Sequence, residues 1–286
     1  MLNRLGTTLV ELMVGLVLAS IVLGIATVTT LRQHRVHARI QSVSDVDAQL
    51  RSAMLVLGAQ LSVLDGGVGD LASGQATDTS LQFRAPIATS IACSQALGAV
   101  TLRPDAAGEI PLSGQAVPTR VSDTLWWLGD SAWTGQRVTS VATTWASCAA
   151  PVATVGSSAR LGITGTDTIP AGSPIRITRQ TRYAIYRASD GTWQLGFREW
   201  NDPTFQFAAP QPVAGPLLIR SGTRHSGFRY FDTTGAELLP SAGPVDVTRV
   251  ARIRITAHSL VPDRSAGQDS VRTDSLDIAL TRVSVP

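Results

Sequence analysis

The chain contains no lysine, so all 24 of its basic side chains are arginines. That removes catalysis by a lysine amine and the lysine of a phosphate-binding loop, and no glycine-rich phosphate loop is present either. Only two cysteines, Cys93 and Cys148, occur in 286 residues, too few for a cysteine metal cluster or a disulfide framework. Histidines number four. His34 and His37 could share a helix face, but Arg32, Arg35 and Arg39 surround them, and neighbouring positive charge opposes a metal cation; no metal or other cofactor is expected. No repeat is apparent, which excludes a solenoid. The single copy of Gly66-Gly67-Val68-Gly69-Asp70 does not match a repeated calcium loop, its aspartate standing one position early. Gly129-Asp130-Ser131-Ala132-Trp133 misses the final glycine of a nucleophile elbow. The expectation is a protein that is not an enzyme. The net charge of +3 is mild, and the arginines scatter over strands and loops, leaving no concentrated nucleic-acid footprint.

What the chain does have is one long apolar run. From Leu12 to Leu31 there are 20 residues without formal charge, and about 20 such residues at 1.5 Å rise cross a hydrocarbon core of about 30 Å. Before it lies a short segment, Met1 to Gly6, with Arg4 its only charged side chain. Glu11 needs explaining, because a carboxylate inside a spanning helix costs about 2.5 to 3.5 kcal/mol at the centre and less towards an end. Thr8-x-x-Glu11 reads as a capping box, with Glu11 reaching back to the first backbone donor of the helix. A capping box leaves the preceding glycine unexplained.

Gly6 followed by Thr7-Thr8-Leu9-Val10-Glu11-Leu12-Met13 resembles the class III leader and N-terminal segment of type IV pilins and pseudopilins. The resemblance implies that a membrane prepilin peptidase cuts between Gly6 and Thr7 and methylates the new amine, with Thr7 standing where the family usually has phenylalanine. Glu11 would then be the fifth mature residue, which in that family is thought to pair with the N-terminal amine of a neighbouring subunit. Opposite charges about 4 Å apart attract by about 4 kcal/mol at an effective dielectric of 20, so a carboxylate costly alone becomes favourable in an assembly.

Two other readings compete for this segment. Gly24-Ile25-Ala26 resembles a small-x-small secretory cleavage site, but Glu11 sits at the front of the apolar region and the helical pattern continues past the cut. A plain signal anchor is the other, and Arg32, Arg35 and Arg39 outnumber Arg4, which by charge alone favours a cytoplasmic C-terminal side. The motif outweighs both. It implies a bacterial inner-membrane protein, single-pass, with a periplasmic C-terminal domain, that enters a pilus fibre after assembly.

Beyond Leu31, apolar positions recur at Val36, Ile40, Val43, Leu50, Met54, Leu57 and Leu61, with Asp47 interrupting. That spacing predicts a helix with one apolar face, ending at Asp65-Gly66-Gly67. A continuous helix from Thr8 to Leu64 would be about 85 Å long, half of it beyond the bilayer. Its apolar face is expected to lie under the chain's own globular domain, in preference to a coiled coil. The organisation read from the sequence is therefore a leader at 1–6, a spanning helix at 7–31, an amphipathic continuation at 32–65 and a β-rich globular domain at 66–286, one large unit or two smaller ones. The fold class is α+β. Strand-like alternation covers Ser80 to Ala85, Arg176 to Arg187, Thr192 to Glu199, Ser226 to Phe231, Thr248 to Ala257 and Ser275 to Val283. Ser189-Asp190-Gly191-Thr192 is the clearest hairpin turn, whereas Gly66 to Thr79 and Ala149 to Ser173 read as long loops.

The Tyr183 to Trp200 hairpin, Gly227-Phe228-Arg229-Tyr230-Phe231-Asp232 followed by Gly235, and Val250-Ala251-Arg252-Ile253-Arg254-Ile255 are similar to the C-terminal half of PilW-type minor pilins. That resemblance implies a role in priming pilus assembly in the inner membrane and capping the fibre, with other minor pilins and the major pilin as partners. J-type pseudopilins of type II secretion share the layout and are the alternative. A third reading, of another class, is a membrane-tethered or secreted ligand-binding domain. Cys93 and Cys148, exposed to the periplasm, are expected to form a structural disulfide. Trp126, Trp127, Trp133 and Trp145 crowd into one stretch, where neighbouring Trp126 and Trp127 would face opposite ways in a strand; core filling is preferred to an aromatic binding patch.

Overall fold

The computed structural model describes residues 9–64, 69–103, 118–129, 132–148, 155–165, 168–201, 206–221, 224–238, 243–261 and 270–280. One helix, α1 (Leu9–Leu61), is followed by fourteen strands among the described residues: β1 (Ser80–Ala96), β2 (Ala99–Leu102), β3 (Thr124–Leu128), β4 (Trp133–Ser147), β5 (Val155–Ile163), β6 (Pro174–Arg187), β7 (Trp193–Asn201), β8 (Gln206–Phe207), β9 (Gln211–Leu217), β10 (Arg220–Ser221), β11 (Arg224–His225), β12 (Gly227–Phe231), β13 (Arg252–Val261) and β14 (Ser270–Ala279). The α+β layout is a long N-terminal helix with a large antiparallel sheet.

The sheet is organised by two long strands. β1 pairs with β6 over Ser80 to Ile91, and its C-terminal end pairs with β2. Since β2 pairs with β5, β5 with β4, β4 with β3 and β3 with β6, these six strands form a closed ring. Closure removes open edges and leaves an interior filled by side chains. Val100, Leu102, Leu125, Trp127, Val138, Leu161, Ile175 and Ile177 fill it. Beyond Thr178 on β6, the edge that held β3 passes to β7, and the sheet continues through β9 and β13 to β12 and β14. A second core lies between this part and the C-terminal end of α1, where Leu50, Met54, Leu57 and Leu61 meet Phe83, Tyr183, Tyr230, Ile253 and Ile278.

The junction between the two cores is polar. Arg179 and Asp123, 4% and 2% exposed, are joined by a two-pronged ion pair at 2.8 and 2.9 Å, and Glu199 stands 3.6 Å from Arg179. Burial is the largest influence on this guanidinium and lowers its pKa, but hydrogen bonding and charge from Asp123, then Glu199, outweigh it, leaving the pKa raised. The ion pair holds β6 against the turn before β3. Asp70 does the same for the segment after α1, pairing with Arg176 at 2.6 Å.

Several expectations are corrected. The segment Ala149 to Ser173 is not one long loop: Val155–Ile163 is β5, whose Gly, Ser and Ala residues have weak strand propensity but which is paired on both edges. β1 runs past Ala85 to Ala96, with a register shift between Pro86 and Ala88 that accommodates the proline. The chain from Thr248 begins in a short 3-10 turn (Val247–Arg249) capped by Asp246, and β13 starts only at Arg252. The hairpin at Asp190-Gly191 forms as expected, with Gly191 at φ +85° and Asp190 accepting from the amide and hydroxyl of Thr192. Asp65-Gly66-Gly67 and the residues after Leu280 lie outside the described residues.

Candidate functional site

α1 is 53 residues long, about 80 Å at 1.5 Å per residue. Its sequence divides it into three stretches with different surroundings. From Leu9 the helix is apolar on all sides, with Glu11 in its first turn and no further charge before Arg32. An 18-residue window reaches a mean hydropathy of 2.5, and none of it is buried within the molecule. The helix is therefore long and apolar enough to span a membrane. Its few hydroxyls turn inward: Ser20 donates to the carbonyl of Val17, Thr27 to Leu23, Thr29 to Ile25 and Thr30 to Ala26. Each of these hydroxyls is thus satisfied by its own helix, the condition for placing hydroxyls in lipid.

In the last stretch, Leu50, Met54, Leu57 and Leu61 are buried on the sheet, and Tyr183 Oη donates to Gln60 Oε1 at 2.9 Å. Between the two, the expectation that the domain covers the whole amphipathic face fails. Val36 and Ile40 are 56% and 59% exposed; among the described residues β14 meets α1 further along, at Asp47, which stands 3.9 Å from Arg272. An open groove of about 1010 Å³ remains there, lined by Val36, Ile40, Val43, Asp47, Arg51 and Arg272.

Of the residues singled out from the sequence, Glu11 is placed on the first turn of α1. Gly6, Thr7 and Thr8 lie outside the described residues, and with them the processing position and the capping partner. Cys93 and Cys148 are joined in a disulfide, both nearly buried, tying the end of β1 to the residue after β4. His34 and His37 are exposed on α1, and no metal-ligating group of three side chains occurs among the described residues. Trp126 and Trp127 do point to opposite faces of β3: Trp127 fills the ring of strands, while Trp126 lies over Gly135, donates to Thr178 Oγ1 at 2.9 Å and carries Arg84 4.9 Å above it. Trp145 is 75% exposed. The tryptophans thus divide between core and surface instead of forming one patch. The closed ring of strands and the groove beside α1 carry no signal in the sequence, since both depend on which distant strands pair.

No protein-family model, no curated protein and no solved structure matches this chain.

Proposed function

We propose that the chain is a subunit of the type IV pilin class, anchored by the first half of α1 as a single pass in a bacterial inner membrane with its sheet domain in the periplasm. More particularly, we read it as a PilW-type minor pilin that acts in the initiation of pilus assembly and sits at the fibre tip. The observation that carries the reading is Glu11: one carboxylate at the head of an apolar stretch that none of the described residues cover, behind Gly6 in the sequence, on a helix whose far end is locked into a folded domain. A rigid rod with an uncovered apolar surface is suited to packing among other helices once it leaves lipid. A charge at its head is suited to setting axial register against a partner's amine.

On this reading the partners are a prepilin peptidase, other minor pilins and the major pilin, with inner-membrane lipid before assembly. Mass spectrometry of the membrane-extracted protein should find a mature start at Thr7 only in cells that contain the peptidase. A start near Thr27, or an intact Met1 in the presence of peptidase, rejects the reading. Glu11→Ala should lower incorporation into the fibre about tenfold or more, given an attraction of about 4 kcal/mol in a part-desolvated pair. Deletion should abolish surface pili; loss of protein export with pili intact would instead make it a J-type pseudopilin.

A further inference from the structure

On the face of the sheet turned away from α1, three strands set Gln82, Arg182 and Arg198 in one row, since Gln82 of β1 is opposite Arg182 of β6 and Arg182 is opposite Arg198 of β7. Tyr183, one residue on, points the other way into the core under α1. Like charges directly opposite each other on neighbouring strands are destabilising. Three other sheet arginines are matched with acids: Arg176 with Asp70, Arg179 with Asp123, Arg254 with Asp277. Neither Arg182 nor Arg198 has a carboxylate partner among the described residues. The Nε of each is buried without a hydrogen-bond partner.

The surroundings hold the pair in place without neutralising it. Arg182 Nη2 donates to Gln75 Oε1, and its guanidinium lies 5.2 Å over the Phe207 ring, which meets Trp200 edge-on. Burial, then the charge of Arg198, pushes the Arg182 pKa down, the direction expected where a countercharge is lacking. Both side chains are only half-buried, so solvent reaches them. A buried donor without a partner calls for a physical explanation, and a guanidinium fork is shaped to grip an oxyanion with two parallel bonds.

We propose that Arg182 and Arg198 form a binding site for a divalent oxyanion, a phosphate or phosphate monoester, gripped between the two guanidiniums on the outer face of β6 and β7. Two charges of one sign are neutralised by a dianion, whereas a single carboxylate leaves one of them uncompensated. The site stands apart from α1 and does not rest on the assembly reading.

The test is thermal unfolding of the full chain in non-ionic detergent, with inorganic phosphate replacing chloride at constant ionic strength. Phosphate should raise the midpoint by about 2 to 4 °C. Arg198→Gln should fold with an unchanged or higher midpoint in chloride, because a repulsion is removed, and should lose the response to phosphate. Arg182→Gln should lose it as well, and Arg187→Gln, at the exposed end of β6, should keep it. A parallel titration with glycerol 2-phosphate separates the sources: a response to both ligands assigns the site to phosphate monoesters, and a response to phosphate alone assigns it to the free ion. No rise in the unaltered chain, or an equal rise in Arg198→Gln, overturns the proposal.

Discussion

Tyr183 shows how a single side chain couples the helix to the sheet. Its ring stacks on Phe83 at 6.0 Å and meets Phe197 at 5.1 Å, while its hydroxyl holds Gln60 of α1. Burial pushes its pKa up, as it does for Tyr230, whose hydroxyl donates to the carbonyls of Thr77 and Ser80. A phenol harder to ionise folded than unfolded gives stability that is fully present below the unfolded value of about 10, and lost as pH rises from there towards the folded value. Each such tyrosine contributes a decline of up to about 1.4 kcal/mol per pH unit in that window. Tyr183→Phe should cost about 1 kcal/mol at pH 7 through the lost hydrogen bond. It should also make the decline above pH 10 shallower, which denaturant melts at pH 9, 10 and 11 would measure. An unchanged alkaline slope would mean that the Tyr183 phenol ionises as easily folded as unfolded.

α1 is one helix by backbone and three by environment, and its stability effects should follow the environment. Leu57 is fully buried and Leu55, two residues earlier, is 71% exposed. Leu57→Ala should cost about 2 to 5 kcal/mol by lost contact and cavity formation, whereas Leu55→Ala should stay within about 0.5 kcal/mol. Guanidinium unfolding of the full chain in detergent, followed by tryptophan fluorescence, would give both numbers. Equal costs would mean that the helix does not dock on the sheet in this register. The existence of α1 was legible in the sequence, because apolar runs and spaced leucines act locally along one rod. That the cover stops short of Val36 and Ile40 was not legible, since they continue the same pattern but no strand among the described residues extends to meet them. The strands were legible where large and branched residues alternate, as in β6 and β13, and illegible in β5, whose small residues are held by partners on both sides.

For the whole molecule, the disulfide is the longest covalent constraint. Cys93 and Cys148 are separated by 55 positions, and closing a loop of that size should stabilise by about 4 kcal/mol in the chain-entropy model. The double variant Cys93→Ser, Cys148→Ser should fall in stability by about that amount, measured against the oxidised parent by denaturant unfolding. A difference below about 1 kcal/mol would mean that the unfolded chain is already constrained in this region. The loss should be felt first in the ring of strands, because the bond clamps β1 to the end of β4 while the core beneath α1 lies elsewhere.

Sequence alone determined the parts of this protein whose physics is local. A charge-free stretch must be a long apolar helix, an Asp-Gly pair must turn a hairpin, and a lone carboxylate at the head of the helix must be accounted for. Tertiary structure decided whatever depends on pairing across long separations: that β1 and β6 each serve two cores, that six strands close into a ring, that Trp127 and not Trp126 is the one turned into that ring, and that Arg182 and Arg198 face each other with no acid between them among the described residues. Those outcomes follow from strand register, which is set by the summed packing of both cores and cannot be read from any one segment.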